Sequence, residues 1–369
     1  MITPSFGLKA TERVLPRLAL DFTTASLDSR ITLTRALNTA TRVNSSGFIE
    51  VVNADLPRFD YDPITLACKG LLIEESRINL LLQSNTFEAA NWTKSNGSLT
   101  DNATTSPNGT LDGDLYIPNV TSNRHRVIQT ATVVTATSYT MSVYAKAGNY
   151  SKIALREDAS TGNAASFDLS DGTVLVGGTA ASIAPVGNGW YRCTFTSTSS
   201  GTSFTFGVQV LKPTYVAGNS ITESWAGNGT DGVYLWGADL EAGAFPTSYI
   251  PTTTTAVTRN ADVATMTGTN FSNFYNHLAG TWGISTDARS GAAVLTAGSF
   301  VLSADTTAQK KYAAAYTGDQ SATSLVLGPG TIRELEYYPQ ALSSAEIQVV
   351  RSPAGYRSVI QAITSSVIK

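Results

Sequence analysis

Histidine is the side chain that most readily exchanges a proton near neutral pH, and this sequence holds two, His125 and His277. His125 stands between Arg124 and Arg126, whose charges oppose its protonation and supply no carboxylate to support a base. No Gly-x-Ser-x-Gly elbow occurs. A zinc site of nitrogen and sulfur ligands would need nearly every His and Cys in the chain, at spacings that form no motif. Gly227-Asn228-Gly229 lacks the strand, helix and lysine of a phosphate loop. Glycoside cleavage takes two carboxylates on opposite sides of a sugar, and Glu157-Asp158, Asp168 with Asp171, and Asp112 with Asp114 are the available pairs. Each sits beside turn residues, where Asp bonds its own backbone, so the reading is non-enzymatic. Asp112 and Asp114 offer hard oxygen ligands and are the candidate metal residues, with calcium the ion they suit. No other cofactor is expected.

Aromatic rings are the stronger binding chemistry, because sugars stack their C–H faces on them. Trp190 and Trp236 lie in apolar strand-like runs and read as core. Trp225 lies in the polar stretch Thr222-Glu223-Ser224-Trp225-Ala226-Gly227-Asn228. It is the leading candidate for ligand binding, with Tyr144 and Tyr116 behind it. The same ring could instead fill a contact with a neighbouring subunit.

Strands must position these groups. From 84 to 250, alternating runs such as Tyr139–Ala145, Lys152–Arg156, Trp190–Phe195, Phe204–Val210 and Val233–Trp236 are separated by Gly148-Asn149, Asp171-Gly172 and Gly187-Asn188-Gly189. Seven or more such strands without an intervening helix predict a two-sheet sandwich. Residues 1–83 read as short strands with polar turns, too sparse in apolar residues for a core, and hence as a docking region. Pro246, Pro251 and Thr252–Thr255 read as a linker, so 251–369 is expected to be a linker plus a smaller β domain. Ser343 and Glu346 have the spacing of a capping box, and Val359, Ile360, Ile363 and Val367 would share one face of a terminal helix. The expected fold class is therefore all-β.

Composition narrows the functions. Charged residues make up 14% of the 369, against about 25% in average soluble domains. The formal net charge of -3 argues against nucleic acid as a partner. No apolar run approaches the ~18 residues of a membrane span. The N-terminus lacks the pattern of a signal peptide, and Cys68 and Cys193 read as free thiols, so synthesis in a reducing cytoplasm is expected.

The run Gly70-Leu71-Leu72-Ile73-Glu74-Glu75-Ser76-Arg77-Ile78-Asn79-Leu80-Leu81-Leu82-Gln83-Ser84, followed by Phe87 and Trp92, resembles a segment of tailed-phage fibre and head-spike-fibre structural proteins. Gly189-Trp190-Tyr191-Arg192 and the stretch from Gly237 to Thr252 match later parts of the same pattern. Those proteins usually have Thr where this chain has Ile78, and often Gln where it has Asp239. The resemblance implies a jelly roll over 70–252, similar to a carbohydrate-binding module. Ile332–Pro339 with Leu342, Ser343, Ala345 and Glu346 looks like the closing strand and helix of a concanavalin-like domain. The stretch 256–342 is short for a complete one, so a reduced domain is expected. The family implies a component on the virion exterior, often a homotrimer, whose N-terminal region contacts other virion proteins and whose sandwich meets host-surface glycans. A purely architectural capsid decoration or head fibre is the alternative. No catalytic residue carries over.

Overall fold

The computed structural model describes residues 15–157, 163–288, 291–305 and 310–351. The fold is all-β, with antiparallel sheets and one short helix near the end. Contacts group the described residues into two compact units: a larger one within 33–69 and 74–262, and a smaller one within 15–32, 70–73 and 263–351. This grouping differs from three consecutive regions divided near 83 and 250.

The larger unit is the expected sandwich. One sheet runs, edge to edge, through Ala181–Gly187, Trp190–Thr198, Ser138–Ala147, Val233–Ala242, Leu111–Pro118 and Gly97–Thr105. The other runs through Thr173–Val176, Ala164–Asp168, Lys152–Glu157, Ser203–Val210, His125–Thr132 and Thr93–Ser95. The chain passes back and forth between the sheets, as in a jelly roll. Alternation fills the space between them. On His125–Thr132, the buried positions are His125, Val127, Gln129 and Ala131. They join Met141, Val143, Ile153, Leu155, Phe167, Phe204, Phe206, Val208, Leu235 and Leu240 in the core.

Ser138–Ala147 departs from simple alternation: it is buried on both faces from Tyr139 to Ala145. Its second face carries Tyr144, which clusters with Trp190, Trp236, Tyr249 and Ile49. Ile49 belongs to the antiparallel hairpin Ala40–Val43 and Ile49–Val52, in which Val43 also packs on this cluster. Thr41 Oγ1 donates to Tyr249 O at 2.5 Å. An N-terminal hairpin without a core of its own thus shares one with the sandwich. The start of the segment read as a linker is buried, with Thr247, Tyr249, Ile250 and Thr252 at most 4% exposed, while Thr253, Thr254 and Thr255 are exposed. Val257–Arg259 pairs with Arg77–Asn79.

In the smaller unit, Gly330–Tyr338 pairs with Leu18–Asp21 and with Ala279–Thr286, which in turn pairs with Lys310–Thr317. A second sheet joins Val263–Thr267, Ser324–Leu327, Ala293–Ala297 and Phe300–Ser303. Trp282, Ile284, Leu295, Leu325, Leu335 and Tyr337 are buried there. The capping box forms: Ser343 N donates to Glu346 Oε2 at 2.7 Å, and Glu346 N to Ser343 Oγ at 3.4 Å. The helix Ser344–Arg351 seats Val350 and Ile347 against Ala313, Tyr338 and Leu342. The terminal face of Val359, Ile360, Ile363 and Val367 lies outside the described residues.

Candidate functional site

Trp225 sits in the long connection between Ser203–Val210 and Val233–Ala242. Reciprocal backbone hydrogen bonds with Asn123 pin it, at 3.1 and 3.2 Å. Gly227 N donates to Asn119 O at 2.9 Å. A Cβ on Gly227 would lie 2.5 Å from Pro118 O, so only glycine permits this approach. The Trp225 ring is half-buried, edge-on to His125 at 4.7 Å and to Tyr150 at 5.2 Å between centroids. Its Nε1 turns inward, donating to Val210 O at 3.4 Å. Beside the ring-bearing loop, Asn149 and Asn228 both donate to Asp231, at 2.5 and 2.6 Å. The region therefore joins part of an indole surface to amides and a carboxylate, the mixture that meets a sugar's apolar face and its hydroxyls.

The other two candidate rings are not surface features. Tyr116 is fully buried and its hydroxyl donates to Ser95 O at 2.7 Å. Tyr144 is 4% exposed, packed 5.3 Å from Trp236 with the Arg192 guanidinium 5.5 Å above its ring. Burial pushes both phenols above the usual tyrosine range. The hairpin and the closing segment cover Tyr144 on the second face of the sheet, whereas Tyr116 lies in the core between the two sheets. Trp190 and Trp236 are buried as expected, at 1% and 2% exposure.

Both aspartates accept hydrogen bonds from protein donors. Asp112 Oδ2 accepts from Trp236 Nε1 at 3.1 Å and Asn108 Nδ2 at 3.0 Å. Asp114 accepts from the backbone N of Phe87 at 2.8 Å and of Asn102 at 3.1 Å. Burial raises Asp114 to about 6 against those two donors, with Asp101 adding to the rise. Among the described residues, no three His, Cys, Asp or Glu side chains converge to hold a metal.

Two buried polar clusters escaped sequence reasoning. Arg35, Arg58 and Arg259, all with fully buried side chains, surround Glu74 and Asp262. Arg35 bonds Asp262 at 2.8 Å and Arg58 bonds Glu74 at 2.7 Å, while Arg58 also reaches Asp262 and Arg259 reaches Glu74. Ser248 donates to Glu74 through both N and Oγ, each at 2.7 Å. The available signal was a carboxylate placed directly after the apolar run Leu71-Leu72-Ile73. In the second cluster Asp239 and Glu241 share one face of their strand, where Ile250 N donates to Asp239 at 3.2 Å and Thr247 Oγ1 to Glu241 at 2.6 Å. Burial pushes both carboxyls up, and Glu241 adds to the rise at Asp239, while Thr247 and Arg192 oppose it at Glu241.

No family model matches the chain, and no curated protein matches it. Solved structures similar to parts of it include a phage tailspike domain and a xylanase. The enzymatically active domain of tailspike protein 4 of bacteriophage CBA120 has 11% identity and a TM-score of 0.28, over 44% of this chain and 21% of that one. The CBM22-1–GH10 modules of the N-terminal endo-1,4-β-D-xylanase 10B of Clostridium thermocellum, complexed with xylohexaose, have 14% identity and a TM-score of 0.25. That match covers 48% of this chain and 30% of that one. The chain thus spans less than a third of either, and likeness at this level carries no argument about function. Among the described residues no helix is long and apolar enough to cross a membrane.

Proposed function

We propose that the protein is a virion component of a tailed phage. It would be a non-catalytic fibre or fibre-like appendage that docks on the particle through its N-terminal region and displays its sandwich to host-surface glycans. One observation carries the reading: the two blocks that bear the phage-fibre resemblance bond to each other within the larger unit. Asn79 Nδ2 donates to Ala238 O at 3.1 Å and Ile250 O at 2.9 Å, and its Oδ1 accepts from Leu240 N at 3.2 Å. Ser84 Oγ and Tyr249 Oη lie 2.6 Å apart, and Thr252 Oγ1 donates to Leu81 O at 2.7 Å. These polar groups join the two segments that carry the resemblance, which supports reading them as parts of one scaffold.

Within this reading the Trp225 ring, with Asn149, Asn228 and Asp231 near it, is the glycan contact, and a homotrimer supplies the multiplicity that makes weak sites effective. Immunogold electron microscopy of purified particles tests the location, and label absent from every particle overturns it. Trp225→Ala with an unchanged unfolding transition is expected to lose binding to host cells and glycan arrays. Undiminished binding by that variant removes the site. A purely architectural role, as a capsid decoration or head fibre, is favoured by one observation: two of the three candidate rings are buried. Particles lacking the protein would then adsorb normally but lose heat resistance.

A further inference from the structure

His125 is fully buried, and both of its ring nitrogens face main-chain carbonyl oxygens. Nδ1 lies 2.6 Å from Asn96 O, and Nε2 lies 2.9 Å from Trp225 O. A carbonyl oxygen only accepts, so each contact is a hydrogen bond when the facing nitrogen carries a proton. A neutral imidazole has one N–H and an imidazolium has two. Neither carbonyl is free to turn away, because each also accepts a backbone N–H: Asn119 donates to Asn96 O at 3.0 Å, and Asn123 to Trp225 O at 3.1 Å. A neutral ring would press one nitrogen lone pair against a carbonyl lone pair at hydrogen-bond distance. We infer that His125 is held as the doubly protonated imidazolium and acts as a proton-dependent clamp, tying the loop that carries Trp225 to the turn at Asn96.

The clamp responds to pH because only the doubly protonated ring can donate to both carbonyls, and the flanking Arg124 and Arg126 place no carboxylate beside it. The other charged or titratable groups on the surrounding strands and loops include Lys94, Asp101, Asp112, Asp114, Tyr116, Tyr150, Lys212, Glu223 and Asp231. Glu223 pairs with Lys212 at 2.5 Å, and Asp231 accepts from Asn149 and Asn228, so both carboxylates have partners of their own. The sign follows: the tie is present at low pH and is lost as rising pH removes the second proton. The inference concerns the loop proposed above as the glycan contact but needs no glycan, and neither measurement below contains one.

Two measurements on the full-length protein test it. In a 15N imidazole spectrum at about pH 6, His125 is expected to show two protonated nitrogens, with the signals of the exposed His277 assigned separately. Amide hydrogen exchange, corrected for intrinsic rates, is then followed to about pH 9. Protection of the Asn119, Asn123, Trp225 and Gly227 amides is expected to fall about tenfold as His125 deprotonates. His125→Gln, whose amide donates to one carbonyl only, is expected to show the lower protection at every pH. A single protonated nitrogen on His125 at about pH 6 overturns the inference. Protection that stays constant while His125 loses its proton also overturns it, and the wild-type titration suffices if the variant does not fold.

Discussion

Glu74 shows how far charge can be driven into this fold. Burial by itself would raise its carboxyl, but Arg259 and Arg58 overcome that and hold it at about 2. A depressed carboxylate stabilises above its unfolded value, and the contribution disappears as pH falls toward the folded one. The wild type is therefore expected to lose this contribution between the ordinary glutamate range and about 2. Glu74→Gln leaves buried guanidinium groups facing a neutral side chain, and should cost about 3–5 kcal/mol in urea unfolding at neutral pH. The same variant should flatten the acid limb of the stability profile. Asp239 has the opposite sign. Its raised carboxyl keeps a proton in the fold, and a protonated acid offers the donor that Gln offers at this place in the fibre pattern. Stability from it is full at low pH and falls as pH rises. Asp239→Asn should match the wild type near pH 4 and exceed it at higher pH, by up to ~1.4 kcal/mol per pH unit. The arginine cluster was not legible beforehand, because its members come together from positions as far apart as Arg35 and Asp262. Asp239 and Glu241 are close in sequence, but their burial depends on Thr247 and Ile250 folding over them. Trp190 and Trp236 were legible, since an apolar run around a Trp implies burial wherever the run goes. Tyr144 was not: period-two alternation marks one buried face and is silent about what covers the other, whereas Tyr116 belongs to the core between the sheets.

At the scale of elements, the strand Val233–Ala242 carries the tightest constraint. Its register against Ser138–Ala147 shifts between Ser142 and Tyr144, and Gly237 takes a positive φ of 62° at that irregularity. A Cβ there would lie 2.9 Å from Tyr144 Cδ2, inside the aromatic cluster that the hairpin covers. The bulge re-aims Trp236 and Asp239 toward their separate partners, which a regular ladder would not do. Gly237→Ala adds both left-handed strain and this contact, and should cost about 1–3 kcal/mol in thermal or urea unfolding. An equally large loss on changing Gly178, where a Cβ would have nothing within 4 Å, would show that backbone strain alone explains the effect. Strand existence was readable from alternation and turn residues, and the capping box from Ser343 and Glu346. The bulge was not, because Gly237 stands in an apolar strand without the turn residues that mark irregular backbone.

The whole molecule is organised by returns of the chain rather than by consecutive segments. Residues 15–32 and 70–73 group with the smaller unit, and 33–69 and 74–262 with the larger, so the backbone passes from one unit to the other four times. Domain boundaries drawn from composition assume that neighbours in sequence fold together, and here the pieces that complete the sandwich arrive from both ends of it. The hairpin at 40–52 covers Tyr144, Trp190, Trp236 and Tyr249, while Arg259 and Asp262 complete the ion cluster with Arg35, Arg58 and Glu74. A fragment of 84–250 contains the twelve sandwich strands but lacks the hairpin, Glu74, Arg259 and Asp262. It exposes an aromatic sheet face of the kind that drives association. It is expected to bind an apolar dye strongly and to aggregate or unfold without cooperativity. A fragment of 33–262 keeps every one of these groups and should unfold in a single transition with little dye binding. If 84–250 instead proves monomeric and cooperative with the same transition as 33–262, the covering segments are ornaments on a self-sufficient jelly roll, and the buried cluster loses the structural role assigned to it.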